Sequence, residues 1–239
     1  MLAVIGPGRL PGHSLHSAAM GDLPVYDVVL LPASEVNARS IHLSRQLADL
    51  YGTEFVLRDK GVYPHLSLYM ANFTAAQRDE AITRLRAISV RTPEFVLEAS
   101  HFAGNEHGMF ELFYDKTDAI TWLQEDVVAA VNPLRTGLRQ RDPVGRVLAD
   151  HLLTASSVAR ANLDRYGYDE VGELFRPHIT VTRFQHRDQR PGLALLPPAK
   201  VFTAAYRTLA LCVMGEHGTC TDIVAEFDLA TVAVGPSAD

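Results

Sequence analysis

The sequence predicts an α+β fold: a single domain made of two related halves. Three observations lead there. Strand-like and helix-like segments alternate in the first ninety or so residues, hairpin-like pairs of apolar runs follow, and one short motif occurs twice at long separation. Apolar residues make up 47% of the 239, sufficient for one large domain or two small ones.

Residues 1–24 carry Gly-Pro-Gly and Pro-Gly with no sustained period and read as a flexible leader. Order is expected from Val25 to Leu31, a β-branched apolar run closed by Pro32. Ser34 then reads as an N-cap, with Val36, Leu43, Leu47 and Leu50 at helical spacing and Gly52 closing the segment. A second strand fits Tyr63 to Met70. Thr74 and Gln77 match a capping box ahead of a helix that buries Ile82, Leu85 and Ile88.

The second half opens with runs from Glu94 to Ser100 and Met109 to Tyr114 around the turn residues Gly104 to Gly108, a hairpin pattern. A helix follows with Ile120, Leu123, Val127, Val131 and Leu134 on one face. Residues 137–147 read as a loop, and Leu148, Leu152, Ala159 and Leu163 as one further helix stopped by Gly167. Arg176 to Phe184 reads as a strand. After a Pro-rich connection, Arg207 to Met214 and Thr221 to Leu229 form a second hairpin, and the last residues, 233–239, a tail.

Composition excludes several classes. Against 22 Lys and Arg stand 28 Asp and Glu, a net charge of −6. Proteins that grip long nucleic acid usually carry a basic excess, so no long nucleic-acid groove is expected. No stretch approaches the ~18 consecutive apolar residues of a membrane span, and no secretory signal pattern opens the chain. Two cysteines, Cys212 and Cys220, without a Cys-x-x-Cys pattern fit a reducing cytoplasm better than a disulfide framework. The sequence leaves the oligomeric state open.

The repeated motif carries the chemistry. Pro64-His65-Leu66-Ser67-Leu68 resembles Pro177-His178-Ile179-Thr180-Val181, the two histidines lying 113 residues apart. On a strand, His65 and Ser67 share one face while Leu66 and Leu68 enter the packing, and His178 and Thr180 share a face likewise. Brought together about a pseudo-twofold axis, two imidazoles and two hydroxyls would meet in one cleft. Imidazoles titrate near pH 6.5 and can act as acid and base; hydroxyls can donate to an anion between them. Such a constellation suits a phosphodiester. One His-x-Ser is weak evidence; two copies, each after Pro and each in apolar alternation, are much stronger.

These two motifs resemble those of the two-histidine phosphoesterase superfamily, which includes the bacterial RNA 2′,3′-cyclic phosphodiesterases, also called 2′-5′ RNA ligases. The resemblance extends to the order of elements from about residue 25 to 230. It implies a bilobal pseudo-twofold fold, two antiparallel sheets lining a central cleft with helices outside. The single domain would span 25–232, with lobes near 25–92 and 93–232 and C-terminal strands crossing between them. It implies hydrolysis of 2′,3′-cyclic phosphates of RNA ends or nucleotides to 2′-phosphates, without metal or other cofactor, and a small nucleotide or RNA-end substrate. In that reading His65 is the acid, His178 the base, and Ser67 and Thr180 hold the non-bridging oxygens. The stretch from Gly137 to Phe175 is longer than in the smallest members.

Family members place an Arg five residues after the second His, here Arg183, as a phosphate or ribose contact. Strict alternation would bury it beside Ile179 and Val181, so it needs a bulge or the strand's end to reach the cleft. Arg176 is a phosphate candidate by its position next to Pro177. Tyr63 and Tyr69, with Phe175 and Phe184, suit either base stacking or the core. Arg135, Arg139, Arg141 and Arg146 form a basic run, read as an RNA guide or a solvated loop. His101, His107, His186 and His217 fall in or beside turns and are expected to be exposed. No HExxH, Gly-x-Ser-x-Gly or phosphate-binding loop is present. Two alternatives remain: a 2′-5′ RNA ligase or another cyclic or 2′-5′ nucleotide phosphodiesterase using the same site, and a non-catalytic nucleotide- or RNA-binding module.

Overall fold

The computed structural model describes residues 23–231. The expected leader, apart from its last two residues, and the expected tail lie outside this range. The elements run β1 (Val25–Leu31), α1 (Ser34–Leu50), β2 (Leu66–Asn72), α2 (Ala75–Ser89), β3 (Phe95–Leu97), β4 (Ala99–Gly104), β5 (Met109–Tyr114) and α3 (Asp118–Val131). They continue with α4 (Leu148–Thr154), α5 (Ser157–Tyr166), β6 (His178–Arg183), β7 (Ala204–Tyr206), β8 (Thr208–Met214) and β9 (Cys220–Asp228).

The strands form two principal antiparallel sheets, in the orders β2-β1-β8-β9 and β4-β5-β6. A small third sheet, β3-β7, was not foreseen. The C-terminal hairpin β8-β9 completes the sheet begun by β1 and β2. The two strands that follow the repeated motif, β2 and β6, are neighbours in space. Helices pack crosswise: α1 of the first half lies against β6, and α3 of the second half against β2. Leu66, Leu68, Ile179 and Val181, all fully buried, join α3 residues Ile120, Leu123 and Val127 in one continuous core. Burying a side chain of this size contributes roughly 1.5–3 kcal/mol.

The local signals hold with exceptions. The α2 capping box is present: Thr74 Oγ1 accepts from the Gln77 N–H, and Gln77 Oε1 accepts from the Thr74 N–H at 2.8 Å. Helix α1 is capped one residue earlier than expected. Ala33 is its N-cap, its carbonyl accepting from the Asn37 N–H, and Ser34 lies inside the first turn. Strand β2 begins at Leu66 rather than Tyr63, because Pro64 supplies no N–H to a ladder. Helix α3 ends at Val131, where Pro133 turns the chain into a 3₁₀ segment that carries Leu134. The single helix expected over 148–163 is two. Ala155 is extended and Ser156 Oγ accepts from the Ala159 N–H at 3.1 Å, so a local cap starts a new helix there. Gly167 ends α5 in the left-handed conformation (φ 68°), as a C-terminal glycine commonly does.

Thr74→Ala removes half of the capping box. It should cost about 1 kcal/mol, a fall in Tm of roughly 2–4 °C for a domain this size. Differential scanning calorimetry of both proteins checks it; an unchanged Tm would mean that α2 is held by packing alone.

Candidate active site

A cleft of about 320 Å³ is lined by His65, Ser67, His178 and Thr180 together. The structure thus brings the two copies of the motif to one place. Each histidine is held by the same device. His65 Nδ1 lies 2.8 Å from the Tyr63 carbonyl, and His178 Nδ1 lies 2.7 Å from the Arg176 carbonyl. In both, the acceptor is the residue before the proline. With its Nδ1–H given to a carbonyl, each ring is left with Nε2 as its working nitrogen.

A carboxylate from the adjacent strand stands near each Nε2. Asp27 Oδ2, on β1, is 3.8 Å from His65 Nε2, and Glu111 Oε1, on β5, is 3.7 Å from His178 Nε2. The electrostatics of the two rings nevertheless diverge. Burial is the largest influence on His65 and holds its pKa below the ordinary value, against the Tyr63 carbonyl and with His178 adding to the depression. Burial also works against a charged His178, but Glu111, Glu170 and the Arg176 carbonyl outweigh it and raise its pKa. Burial thus favours the neutral form of His65, and the carboxylates around His178 favour its protonated form. The resemblance implies His65 as acid and His178 as base; the two directions favour the opposite order, through carboxylates the motif does not contain.

Asp27 is 1% exposed, and its Oδ2 lies 2.6 Å from Ser67 Oγ while Oδ1 has no hydrogen-bond partner. Burial pushes its carboxyl up to about 8, against lowering by Ser67, Arg139 and His178. Asp27 and Glu111 were missed in the sequence. The available signal was a lone acid interrupting an apolar strand in each half, at Tyr26-Asp27-Val28 and Phe110-Glu111-Leu112.

Other expectations fare unevenly. A bulge places Glu111 opposite Thr180 and Phe110 opposite Thr182, leaving Val181 unpaired. Beyond it Arg183, 8% exposed, sends Nε to the His107 carbonyl (3.1 Å) and Nη1 to His217 Nδ1 (2.8 Å). It backs the cleft wall and lines an adjoining cavity of about 700 Å³. Arg176 lines the cleft, its guanidinium 3.4 Å from Glu170 and over the Phe113 ring. Tyr69 is not a stacking surface: it is fully buried, its hydroxyl 2.7 Å from the Tyr166 carbonyl and 2.8 Å from Asn132 Oδ1. The Tyr63 ring packs against Val29, Ala210 and the cysteines, so only its backbone serves the site. Phe175 and Phe184 belong to the core.

The basic run is not a solvated loop throughout. Arg139 is 3% exposed, with its guanidinium over the Tyr168 ring. Arg146 is tied to Asp142 at 2.6 Å. His107 and His217 line the cleft rather than standing free, and His217 adopts a left-handed backbone (φ 59°), an uncommon conformation for a residue with a side chain. His151, unnoticed in the sequence, is buried in the cleft wall between Asp142 (3.6 Å) and Asp169 (3.4 Å). Gly108 is needed in the turn beside the site. Its φ is +80°, and a Cβ there would meet the Phe184 carbonyl oxygen at 2.6 Å. Among the described residues no three His, Cys, Asp or Glu side chains are grouped to hold a metal ion, and no helix is long and apolar enough to cross a membrane.

The chain has the two-histidine phosphoesterase-like fold. Solved structures of similar fold include TT0787 of Thermus thermophilus, with TM-score 0.54 and 15% identity over 87% of this chain and 98% of that one. Escherichia coli LigT complexed with 3′-AMP gives TM-score 0.53 and 15% identity over 87% and 99%. LigT complexed with ATP gives 0.52 and 13% over the same shares. At such identities the likeness is one of fold. A family model described as a protein of unknown function, DUF1045, matches residues 70–223, more than half the chain, and the chain belongs to that family. The matched span contains His178 and Thr180 and begins just after His65 and Ser67. No curated protein matches.

Ring titration by NMR checks the electrostatics. The His178 ring should titrate above the ordinary value of about 6.5 and the His65 ring below it. Glu111→Gln removes a negative neighbour that favours the imidazolium, so the His178 pKa should move down. A His178 ring that does not move would sever it from Glu111.

Proposed function

We propose that this chain is a metal-independent phosphodiesterase that hydrolyses 2′,3′-cyclic phosphates of RNA ends or nucleotides to 2′-phosphates. The observation that supports this most is the convergence of His65, Ser67, His178 and Thr180 on one cleft. Neutral His65 accepts a proton from the attacking water at Nε2. Water adds to phosphorus, the bond to the 3′-oxygen breaks, and His178 gives its Nε2 proton to that oxygen. Ser67 and Thr180 donate to the non-bridging oxygens as their charge grows. Arg176 stands at the cleft for the phosphate or ribose, and Arg183 steadies the wall behind His217. The location is expected to be the cytoplasm.

A cleft of about 320 Å³ is at the small end of ligand sites, roughly 300–1,000 Å³, and its carboxylates Glu106, Glu111, Asp142, Asp169 and Glu170 outnumber its arginines. This favours a nucleotide or a chain end over a long polyanion. Ligation would use the same cyclic phosphate at the same site with a 5′-hydroxyl in place of water: that oxygen adds to phosphorus, the bond to the 3′-oxygen breaks, and a 2′-5′ linkage forms.

Either His65→Ala or His178→Ala should lower hydrolysis of 2′,3′-cyclic nucleotides by about 10²–10⁴-fold with the fold intact by circular dichroism. A panel of such substrates with chelator present, followed by phosphorus NMR, should show the 2′-phosphate and a bell-shaped pH profile. Opening to the 3′-phosphate, or wild-type rates in both variants, would overturn the assignment.

A further inference from the structure

Asp27 has no evident structural reason to sit where it does. It lies in the middle of an otherwise apolar strand, 1% exposed, paired across the sheet with Met70 on β2 and Cys212 on β8. A buried carboxylate is costly unless cations or several donors hold it. None does so here. The nearest ring nitrogen, His65 Nε2, is 3.8 Å away, beyond hydrogen-bond reach, Oδ1 has no partner, and the one close contact is the 2.6 Å approach of Ser67 Oγ. The other charged or titratable groups facing it are Arg139 and Tyr168 from the segment over the cleft, His178 from β6 and Cys212 from β8. Arg139 turns its guanidinium to the Tyr168 ring and Met70 Sδ instead.

The direction of the Asp27–Ser67 hydrogen bond decides what Ser67 can do. If Asp27 were ionised, it could only accept, and the single Ser67 proton would be spent on it. If Asp27 is a carboxylic acid, its own O–H can donate to Ser67 Oγ, and the Ser67 proton is free to point into the cleft. We infer that Asp27 is a positioning residue that acts as a neutral acid, donating to Ser67 Oγ and so turning the Ser67 hydroxyl proton onto a non-bridging phosphate oxygen. This rests on the phosphodiesterase reading of the cleft. The burial that raises the Asp27 carboxyl to about 8 keeps it in the required form at neutral pH. The second half differs at the hydroxyl: each acid stands near the Nε2 of its motif, at 3.8 and 3.7 Å, but no hydrogen bond from Glu111 to Thr180 is present, and only Asp27 also reaches its hydroxyl.

Two substitutions separate donation from bulk. The Asp27→Asn amide can still donate to Ser67 Oγ and cannot ionise. Asp27→Leu can do neither. With 2′,3′-cyclic nucleotides, D27N should keep kcat at pH 7 within about threefold. D27L should lose roughly 10²-fold, mostly in kcat, the scale of removing one donor to a developing anion. In a Ser67→Ala background D27L should cost nothing further, since its effect passes through that hydroxyl. Equal losses in D27N and D27L, or losses in D27L and S67A that multiply, would overturn the inference. A carbon-13 titration of the Asp27 carboxyl in wild-type protein needs no turnover: a protonated group at pH 7 is expected, and an ionised one overturns the inference. Wild-type protein that leaves every cyclic phosphate intact would sink the phosphodiesterase reading, and this inference with it, whereas an ionised carboxyl in an active enzyme sinks only the inference.

Discussion

The site depends on one spatial constraint, the adjacency of β2 and β6. Neither strand carries enough chemistry alone. A histidine and a hydroxyl two residues apart line one side of the cleft, and the opposite side must come from elsewhere. The core enforces the adjacency: Leu66 and Leu68 behind one strand and Ile179 and Val181 behind the other are all fully buried in the same apolar mass. The side chains that alternate with them are left facing the cleft. Hydrophobic burial, which is non-directional, is converted by strand alternation into a directed array of polar groups.

The proline in each motif adds a second layer of control. Having no N–H, it interrupts the ladder just before the histidine, and the preceding carbonyl accepts from the ring's Nδ1 in both halves. This selects the same tautomer twice. The halves then diverge through their surroundings. Desolvation is the largest influence on both rings: it prevails at 65, and at 178 Glu111 and Glu170 outweigh it. A symmetric frame thereby gives its two rings opposite pKa directions.

Much of this was legible in the chain. The motif, the alternation around it, the capping box at Thr74 and the hairpin turns are all encoded within a few neighbouring residues, and they survive in the structure. The bulge that counting faces calls for lies at Val181, yet Arg183 ends behind the cleft wall, bonded to the His107 carbonyl and His217, rather than in the cleft. What could not be read depends on partners distant in sequence. Glu111 and Glu170, which raise the His178 pKa against burial, are tied to that ring by no local pattern. Arg139 sat in a run of arginines with the composition of a loop, yet Tyr168 covers it. Tyr69 had the alternation of a cleft residue and was claimed by Asn132 and the Tyr166 carbonyl. The break between α4 and α5 was a contest between apolar spacing and a serine cap, and the cap prevailed.

The crosswise helices carry a consequence for the integrity of the chain. Since α1 covers β6 and α3 covers β2, each half shields the reactive strand of the other. Severing the backbone between α2 and β3 would yield two fragments, each with its motif strand stripped of helical cover and its apolar side wet. Such pieces would have to find one another to regain a folded state, so the two halves are mutually dependent rather than two portable modules.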